Sequence, residues 1–477
     1  MKLIYLLPFL VGLMPHALAS ELPDLGESSQ AVFSSQQERR IGESIMMDIR
    51  RSRDMMGDAE VTDYLNALGA RLVANSQESS RSFEFFVIRD STLNAFALPG
   101  GFIGVHTGLI LSAQSESELA SVLAHEISHV TQRHLARVIA GTQKNTLTSL
   151  AALAVAILAA RSNPQVVNAA LATAQATGIQ SQLDYTREHE READRIGLQV
   201  LGASGFDPHG MADFFGRMQK YGRLYENNAP VYLRTHPLTT ERIADVQNRV
   251  DALPYRQVPD SLDFQLVRAK LEAEEGSVQN AVKVFEAALA EKKYTNEAAQ
   301  HYGFASALLR SKDYSRAERE LALARKPGAH PMFEVLALQI KLAARQPGAA
   351  LDVCRGGLKH FPNHRALIHG CAETMLQAGA AAEALSLVSA ALKGRDNDVH
   401  LHMLQAQAYA ALGKIVPQHR ALAEAYVLQG NLTEAVVQLQ IALKTRDGDF
   451  YQLSMAEARL RQLRALEKEM RKPPQQP

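Results

Sequence analysis

Apolar residues return at helical spacing along most of this chain, and two short stretches break the rhythm. Glu38 to Met47 and Val61 to Val73 repeat with a period of about 3.6 residues, which predicts amphipathic helices. Phe83-Glu84-Phe85-Phe86-Val87-Ile88 is instead dense in aromatic and β-branched residues and predicts a strand. A second extended run, Asn94 to Leu98, meets the turn residues Pro99-Gly100-Gly101 and returns as Phe102 to Thr107, the pattern of a hairpin with one strand at a sheet edge. Leu119, Val122, Leu123, Ile127 and Val130 then restore the helical period behind Ser115-Glu116-Ser117-Glu118, which reads as a capping box.

Farther on, Leu147 to Ala160 is apolar apart from Thr148 and Ser149, but a bilayer span needs about 20 apolar residues. With the weaker stretch Val166 to Ala176 it reads as a helical hairpin or flap beside the site that touches a membrane or an apolar substrate, or else as an ordinary buried helix. Beyond Pro254 to Pro259 a repeat sets in. Ala281, Ala317, Ala350 and Ala384 stand 36, 33 and 34 residues apart, each followed four residues on by Phe285, Leu321, Cys354 or Val388. Small residues at matching offsets let paired helices pack closely, and a period of about 34 is that of tetratricopeptide repeats. Ala435 continues the pattern 51 residues past Ala384, which predicts one extra helix around Gln418 inserted in the solenoid. Asp449 to Arg471 reads as a closing helix. Cys354 and Cys371 fall on neighbouring antiparallel helices of the array, either bridged or as two buried thiols.

The fold expected is mainly α: a first domain with a small β-sheet, which the HExxH motif at His125-Glu126-Ile127-Ser128-His129 marks as a zincin-like metalloprotease domain, followed by an all-α solenoid. Residues 1–19 pair Lys2 with the apolar run Leu3 to Leu13 and end in Ala17-Leu18-Ala19, the pattern of a cleaved secretory signal peptide, with a membrane anchor as the competing reading. Residues 20–254 then form the protease domain, 255–471 the repeats and 472–477 a disordered tail. The 51 basic and 51 acidic residues cancel, so no nucleic-acid surface is expected and polypeptide or apolar surface is the natural partner.

The chemistry centres on His125-Glu126-Ile127-Ser128-His129. On a helix, HExxH sets two imidazoles one turn apart on one face with a carboxylate beside them, the arrangement of a zinc protease. A catalytic zinc takes three protein ligands and keeps one position open. In Arg187 to Gly197, the residues Glu190, Ala193, Asp194 and Gly197 share one helical face, and the small Ala193 and Gly197 would admit the HExxH helix. Glu190 is therefore the expected third ligand of one Zn²⁺ per chain. Asp194 would accept the spare N–H of a ligand imidazole, while His189 and Glu192 point elsewhere on the wheel and read as solvated surface. Glu126 is the expected general base and acid. His236, before Pro237 and followed by Arg242, could donate to the oxyanion, make a local hydrogen bond, or occupy the open zinc position and close the enzyme. Asn94, Ala95, Phe96 and Ala97 form the candidate substrate-binding edge, which would pair with a peptide through backbone alone.

His125-Glu126-x-x-His129, Glu190-x-x-x-Asp194, the Asn94-Ala95…Pro99-Gly100-Gly101 hairpin and His236-Pro237…Arg242 together resemble the gluzincin family of CAAX prenyl endopeptidases and membrane heat-shock metalloproteases, over roughly residues 35 to 250. With the repeats added, the resemblance implies a periplasmic quality-control protease with chaperone-like activity. Its implied substrates are unfolded or misassembled outer-membrane β-barrel proteins, and its implied contact, through the repeats, is their assembly machinery. A repeat-based chaperone whose protease is latent is the rival reading.

Overall fold

The computed structural model describes residues 34–141, 179–224, 230–254, 256–445 and 448–470. The signal-peptide segment 1–19, the apolar runs Leu147 to Ala160 and Val166 to Ala176, and the tail 472–477 lie outside the described residues.

Helix α1 (Ser35–Arg51) opens on a reciprocal capping box between Ser34 and Gln37, and α2 (Ala59–Val73) on the Asp58 carboxylate, which accepts from the amides of Glu60 and Val61. Strands β1 (Glu84–Ile88), β2 (Ala95–Leu98) and β3 (Phe102–His106) form a sheet of order β1-β3-β2, β3 running parallel to β1 and antiparallel to β2. Leu98 pairs with Phe102, so Pro99-Gly100-Gly101 makes the turn. Both glycines take positive φ, 80° and 86°, where a side chain would be strained. No other strand among the described residues pairs with the outer side of β2.

A short helix, α3 (Thr107–Ser112), leads into the HExxH helix α4 (Glu116–Thr131). Its expected capping box is half made. Ser115 accepts from the Glu118 amide, but the Glu118 carboxylate takes the Gln114 amide at 2.7 Å instead of that of Ser115. Then follow α5 (His134–Gly141), α6 (Ile179–Ala203), α7 (His209–Leu224), α8 (Val231–Thr235) and α9 (Thr240–Asp251). Helix α4 is buried on almost every side, packed against α2, α6, α7 and β2. The approach of α6 depends on Gly197, where an added Cβ would come within 3.1 Å of the His125 backbone nitrogen, and on the fully buried Ala193.

The repeats comprise α10 (Leu262–Glu274), α11 (Val278–Ala290), α12 (Glu297–Arg310), α13 (Tyr314–Ala324), α14 (Pro331–Ala343), α15 (Pro347–His360), α16 (Arg365–Gln377), α17 (Ala381–Leu392), α18 (Val399–Ala411), α19 (Ile415–Leu428), α20 (Leu432–Lys444) and α21 (Phe450–Met470). Ala281, Ala317, Ala350 and Ala384 are buried on α11, α13, α15 and α17, the second helices of successive pairs. The helix expected around Gln418 is present as α19, but it is no insertion: it packs on α18 as the regular second helix of a fifth pair. The 51-residue offset arises because Ala435 lies on α20, the first helix of the next pair, and a small residue at a packing position does not distinguish the two. Cys354 on α15 and Cys371 on α16 are bridged, with Cα atoms 5.4 Å apart.

The solenoid is not a loose appendage. One continuous apolar core runs from Leu65, Leu123 and Ile127 into Phe264, Phe285 and Tyr302 of the first repeats. Polar bolts reinforce it: Lys270 of α10 reaches Asp58 and Glu60 at 2.5 Å each, and Arg365 of α16 reaches Asp63 at 2.8 Å. Among the described residues no helix is long and apolar enough to cross a membrane.

Candidate metal centre

Helix α4 turns His125 and His129 toward α6, whose facing side carries Glu190 and Asp194. His125 Nε2 lies 3.0 Å from His129 Nε2 and 3.4 Å from Glu190 Oε2, and His129 Nε2 lies 3.3 Å from Glu190 Oε1. Donors about 2.0–2.1 Å from a tetrahedral ion stand about 3.3–3.4 Å apart, so these three fit the edges of a zinc tetrahedron. His236, at the end of α8, brings Nδ1 to 3.0 Å from Glu190 Oε1 and 3.4 Å from His125 Nε2. Ligand atoms of all four residues lie within 4.8 Å of one another.

The surroundings fix the protons. Asp194 Oδ1 sits 2.9 Å from His125 Nδ1 as an ion pair off the line of a hydrogen bond, which favours hydrogen on that nitrogen and turns Nε2 toward the cluster. Burial works against a charged His125, yet Asp194 and Glu190 outweigh it and raise its pKa to about 10, so Nε2 holds a proton until a metal ion takes that proton's place. Burial would likewise raise Glu190, but His236, His129 and His125 hold it well below the usual carboxylate range. A dry pocket of imidazoles around an ionised carboxylate is a cation site by charge as well as by geometry.

Glu126 is buried at 1% exposure, and its Oε1 makes no hydrogen bond; His236 Nε2 is 3.5 Å away. The His236 ring stacks on Tyr232 at 4.8 Å. The Tyr232 amide in turn donates to the Leu93 carbonyl at 3.4 Å, joining the His236 segment to the chain two residues before the edge strand.

Along that strand the structure divides the four candidate residues. The His106 amide donates to Asn94 O, so Asn94 and, by the alternation of an antiparallel ladder, Phe96 turn their backbone groups inward to β3. Ala95 and Ala97 face outward, Ala95 buried and Ala97 partly exposed.

Three residues escaped the sequence reading or were misjudged by it. Arg242 on α9 donates to both Asp194 oxygens at 2.7 Å, lies 2.8 Å from Glu190 Oε2, and donates to the Pro237 carbonyl at 2.9 Å. Among the described residues it is the one guanidinium linking both carboxylates to the His236 loop, and only its place after His236-Pro237 hinted at this. His189 and Glu192 are not solvated surface. His189 is buried and stacks on His134 at 4.3 Å, and Glu192 accepts from Arg137 at 2.8 Å and lies 3.2 Å from His134 Nε2. The wheel of α6 misled because their partners come from α5, which folds back over it.

Comparison with known proteins agrees with this arrangement. The profile of peptidase family M48 matches residues 59–250, and a tetratricopeptide-repeat profile matches residues 341–408. The chain is 35% identical to the β-barrel assembly-enhancing protease of Escherichia coli O157:H7, over 94% of this chain and 92% of that protein. It is 34% identical to a putative β-barrel assembly-enhancing protease of Vibrio cholerae, over 87% and 86% of the two chains. The mitochondrial metalloendopeptidase OMA1 of Schizosaccharomyces pombe is 33% identical over 41% of this chain and 54% of its own.

Proposed function

The chain belongs to the β-barrel assembly-enhancing proteases of peptidase family M48, and from that premise we propose that this metalloprotease is an exported zinc endopeptidase acting in the periplasm on misassembled outer-membrane β-barrel proteins. The observation that carries the chemistry is the triad of donors from His125, His129 and Glu190 at tetrahedral spacing, with the Glu126 carboxylate beside it, its Oε1 making no hydrogen bond. Imidazole and carboxylate donors in that geometry suit Zn²⁺ better than a hard, oxygen-seeking cation. His125, His129 and Glu190 would hold the ion, which when bound would supply Lewis acidity toward the scissile carbonyl and the attacking water. Glu126 takes the proton from that water and passes it to the leaving amine. Asp194 orients His125, and Arg242 holds Asp194 and Glu190 ionised in a buried site. The outward backbone of the partly exposed Ala97, next to the buried Ala95, receives an extended substrate as an added strand. The tetratricopeptide repeats supply the protein-binding surface, for unfolded outer-membrane proteins and for their assembly machinery.

His236 takes the fourth corner of the donor set, which supports a second reading of the resting state: a latent protease with His236 as a self-inhibiting ligand, the repeats acting as chaperone until the latch opens. Glu126→Gln distinguishes the two. Loss of proteolysis together with loss of complementation in a strain lacking the protein favours catalysis as the main role; full complementation by the inert variant favours the chaperone.

A further inference from the structure

We propose that His134 is a positioning residue for the metal centre: a buried imidazole that accepts the spare N–H of His129 and passes the demand on to Glu192. The inference rests on the zinc-ligand reading above and concerns a residue outside the four-donor cluster.

The geometry begins at the end of the HExxH helix. Arg133 adopts φ 52°, a left-handed conformation that strains a non-glycine residue. That turn starts α5 at once and folds it back, so that His134, five residues after His129, returns to it. The turn is held from outside. Arg133 donates twice to Glu38 Oε1, at 3.1 and 2.8 Å, and Arg81 donates to the Val130 carbonyl at 3.1 Å. A strained residue clamped by a buried ion pair beside a reactive site is a built feature.

His134 is 3% exposed, and its Nδ1 lies 2.9 Å from His129 Nδ1, with the rings edge to face at 4.8 Å. On its other side Nε2 lies 3.2 Å from Glu192 Oε2, which also accepts from Arg137 at 2.8 Å. His189 stacks flat on the ring, 12° from parallel, and fixes its plane. The hydrogen inventory then has one solution. A carboxylate only accepts, so His134 Nε2 carries hydrogen, and a neutral His134 therefore offers the Nδ1 lone pair. His129 must donate from Nδ1, which leaves its Nε2 lone pair aimed at the cluster. His125 is oriented the same way by Asp194. The two imidazole ligands thus have separate anchors, one a direct carboxylate and the other a carboxylate relayed through a second imidazole. Loss of such an anchor typically weakens metal binding 10–100-fold.

The test is zinc affinity by chelator competition, and the rate of zinc loss, on the full-length protein carrying His134→Phe or His134→Asn. Phenylalanine keeps the stack on His189 but removes the acceptor; asparagine restores an oxygen at the Nδ1 position. We expect His134→Phe to weaken zinc binding by about 10–100-fold and His134→Asn to recover most of it. Both failing equally, or neither changing affinity, would overturn the relay. If the wild type itself holds no zinc, the ligand reading fails rather than the relay. Should either variant not fold, histidine ¹⁵N–¹H correlations of the zinc-loaded wild type decide the matter. The relay requires His129 as the Nδ1–H tautomer and His134 as the Nε2–H tautomer, and a His134 protonated on Nδ1 would refute it.

Discussion

Lys270→Met tests how firmly the repeats are tied to the catalytic domain. The Lys270 ammonium, on the first solenoid helix, compensates both Asp58 and Glu60 at the start of α2, the helix that packs on the HExxH helix. Its own pKa is pushed well up, because the two carboxylates outweigh burial. Methionine matches the stem but removes the charge, leaving Glu60 ionised at 5% exposure. Breaking a buried pair from one side costs about 3–5 kcal/mol. The loss has a ceiling, because burial already raises Glu60 and the orphaned carboxyl can take a proton. From an unfolded pKa of about 4.3, protonation costs about 4.4 kcal/mol at pH 7.5 and about 1.6 at pH 5.5, at about 1.36 kcal/mol per unit. The expected destabilisation is therefore about 3–4 kcal/mol at pH 7.5, shrinking to below about 2 at pH 5.5. At about 2.1 cal/mol/K per residue a cooperative unit of 477 residues shifts by about 1 °C per kcal/mol, so this lowers the melting temperature by about 3–4 °C at the higher pH. Glu60→Gln in the same chain should recover most of the loss. Thermal unfolding followed by circular dichroism at the two pH values measures all three. A penalty below about 1 kcal/mol, or one that does not shrink with acid, would show that the bolt contributes little and that the shared apolar core alone holds the domains.

His236→Ala should raise proteolysis and self-cleavage about tenfold or more, since a latch favoured by about 1.4 kcal/mol already holds nine molecules in ten closed; a variant that retains zinc but is slowed about 10²-fold would assign His236 to the oxyanion instead. Gly197→Val places side-chain atoms against the His125 backbone and should cost about 1–3 kcal/mol by overpacking while loosening zinc, read by equilibrium dialysis; unchanged retention would mean that α6 shifts without moving Glu190. Asp398 is held well below the usual carboxylate range, His369 and Arg365 outweighing burial, so its stabilisation is present above about pH 3.9 and lost as pH falls through the depressed folded value. Asp398→Asn should therefore melt earlier at neutral pH and converge with the wild type in acid, whereas a constant gap would contradict the linkage.

Much of the site was legible because its chemistry is carried by local periodicity. HExxH and Glu190-x-x-x-Asp194 each declare a single helical face, and the small residues beside them predicted which faces would meet. The architecture was legible for the same reason, since a helix pair repeated every 34 residues or so has few other solutions. What escaped was contact across distance. Arg242 reaches Asp194 from 48 residues away, and nothing on its own helix marks it as the counter-ion of the site. His189 and Glu192 looked solvated because the wheel of α6 cannot show that Arg133 turns α5 back onto it. The misplaced extra helix had a different origin: small residues report that two helices pack closely, not which member of the pair carries them.

The four-residue edge strand β2 has a consequence for what this enzyme can tell apart. An added strand is recognised through its unpaired amides and carbonyls, whatever its side chains. A barrel that has closed has no such strand, because every one of its strands has a neighbour on both sides; one that has stalled exposes two. On the proposed substrates, discrimination between finished and unfinished proteins then needs no code for damage. The Leu93 carbonyl near that edge is engaged by the Tyr232 amide, and the Tyr232 ring lies against His236, so the edge proposed to receive a stray strand is joined through one residue to the imidazole over the candidate metal centre. Proofreading of this kind inspects topology, and a successful closure is invisible to it.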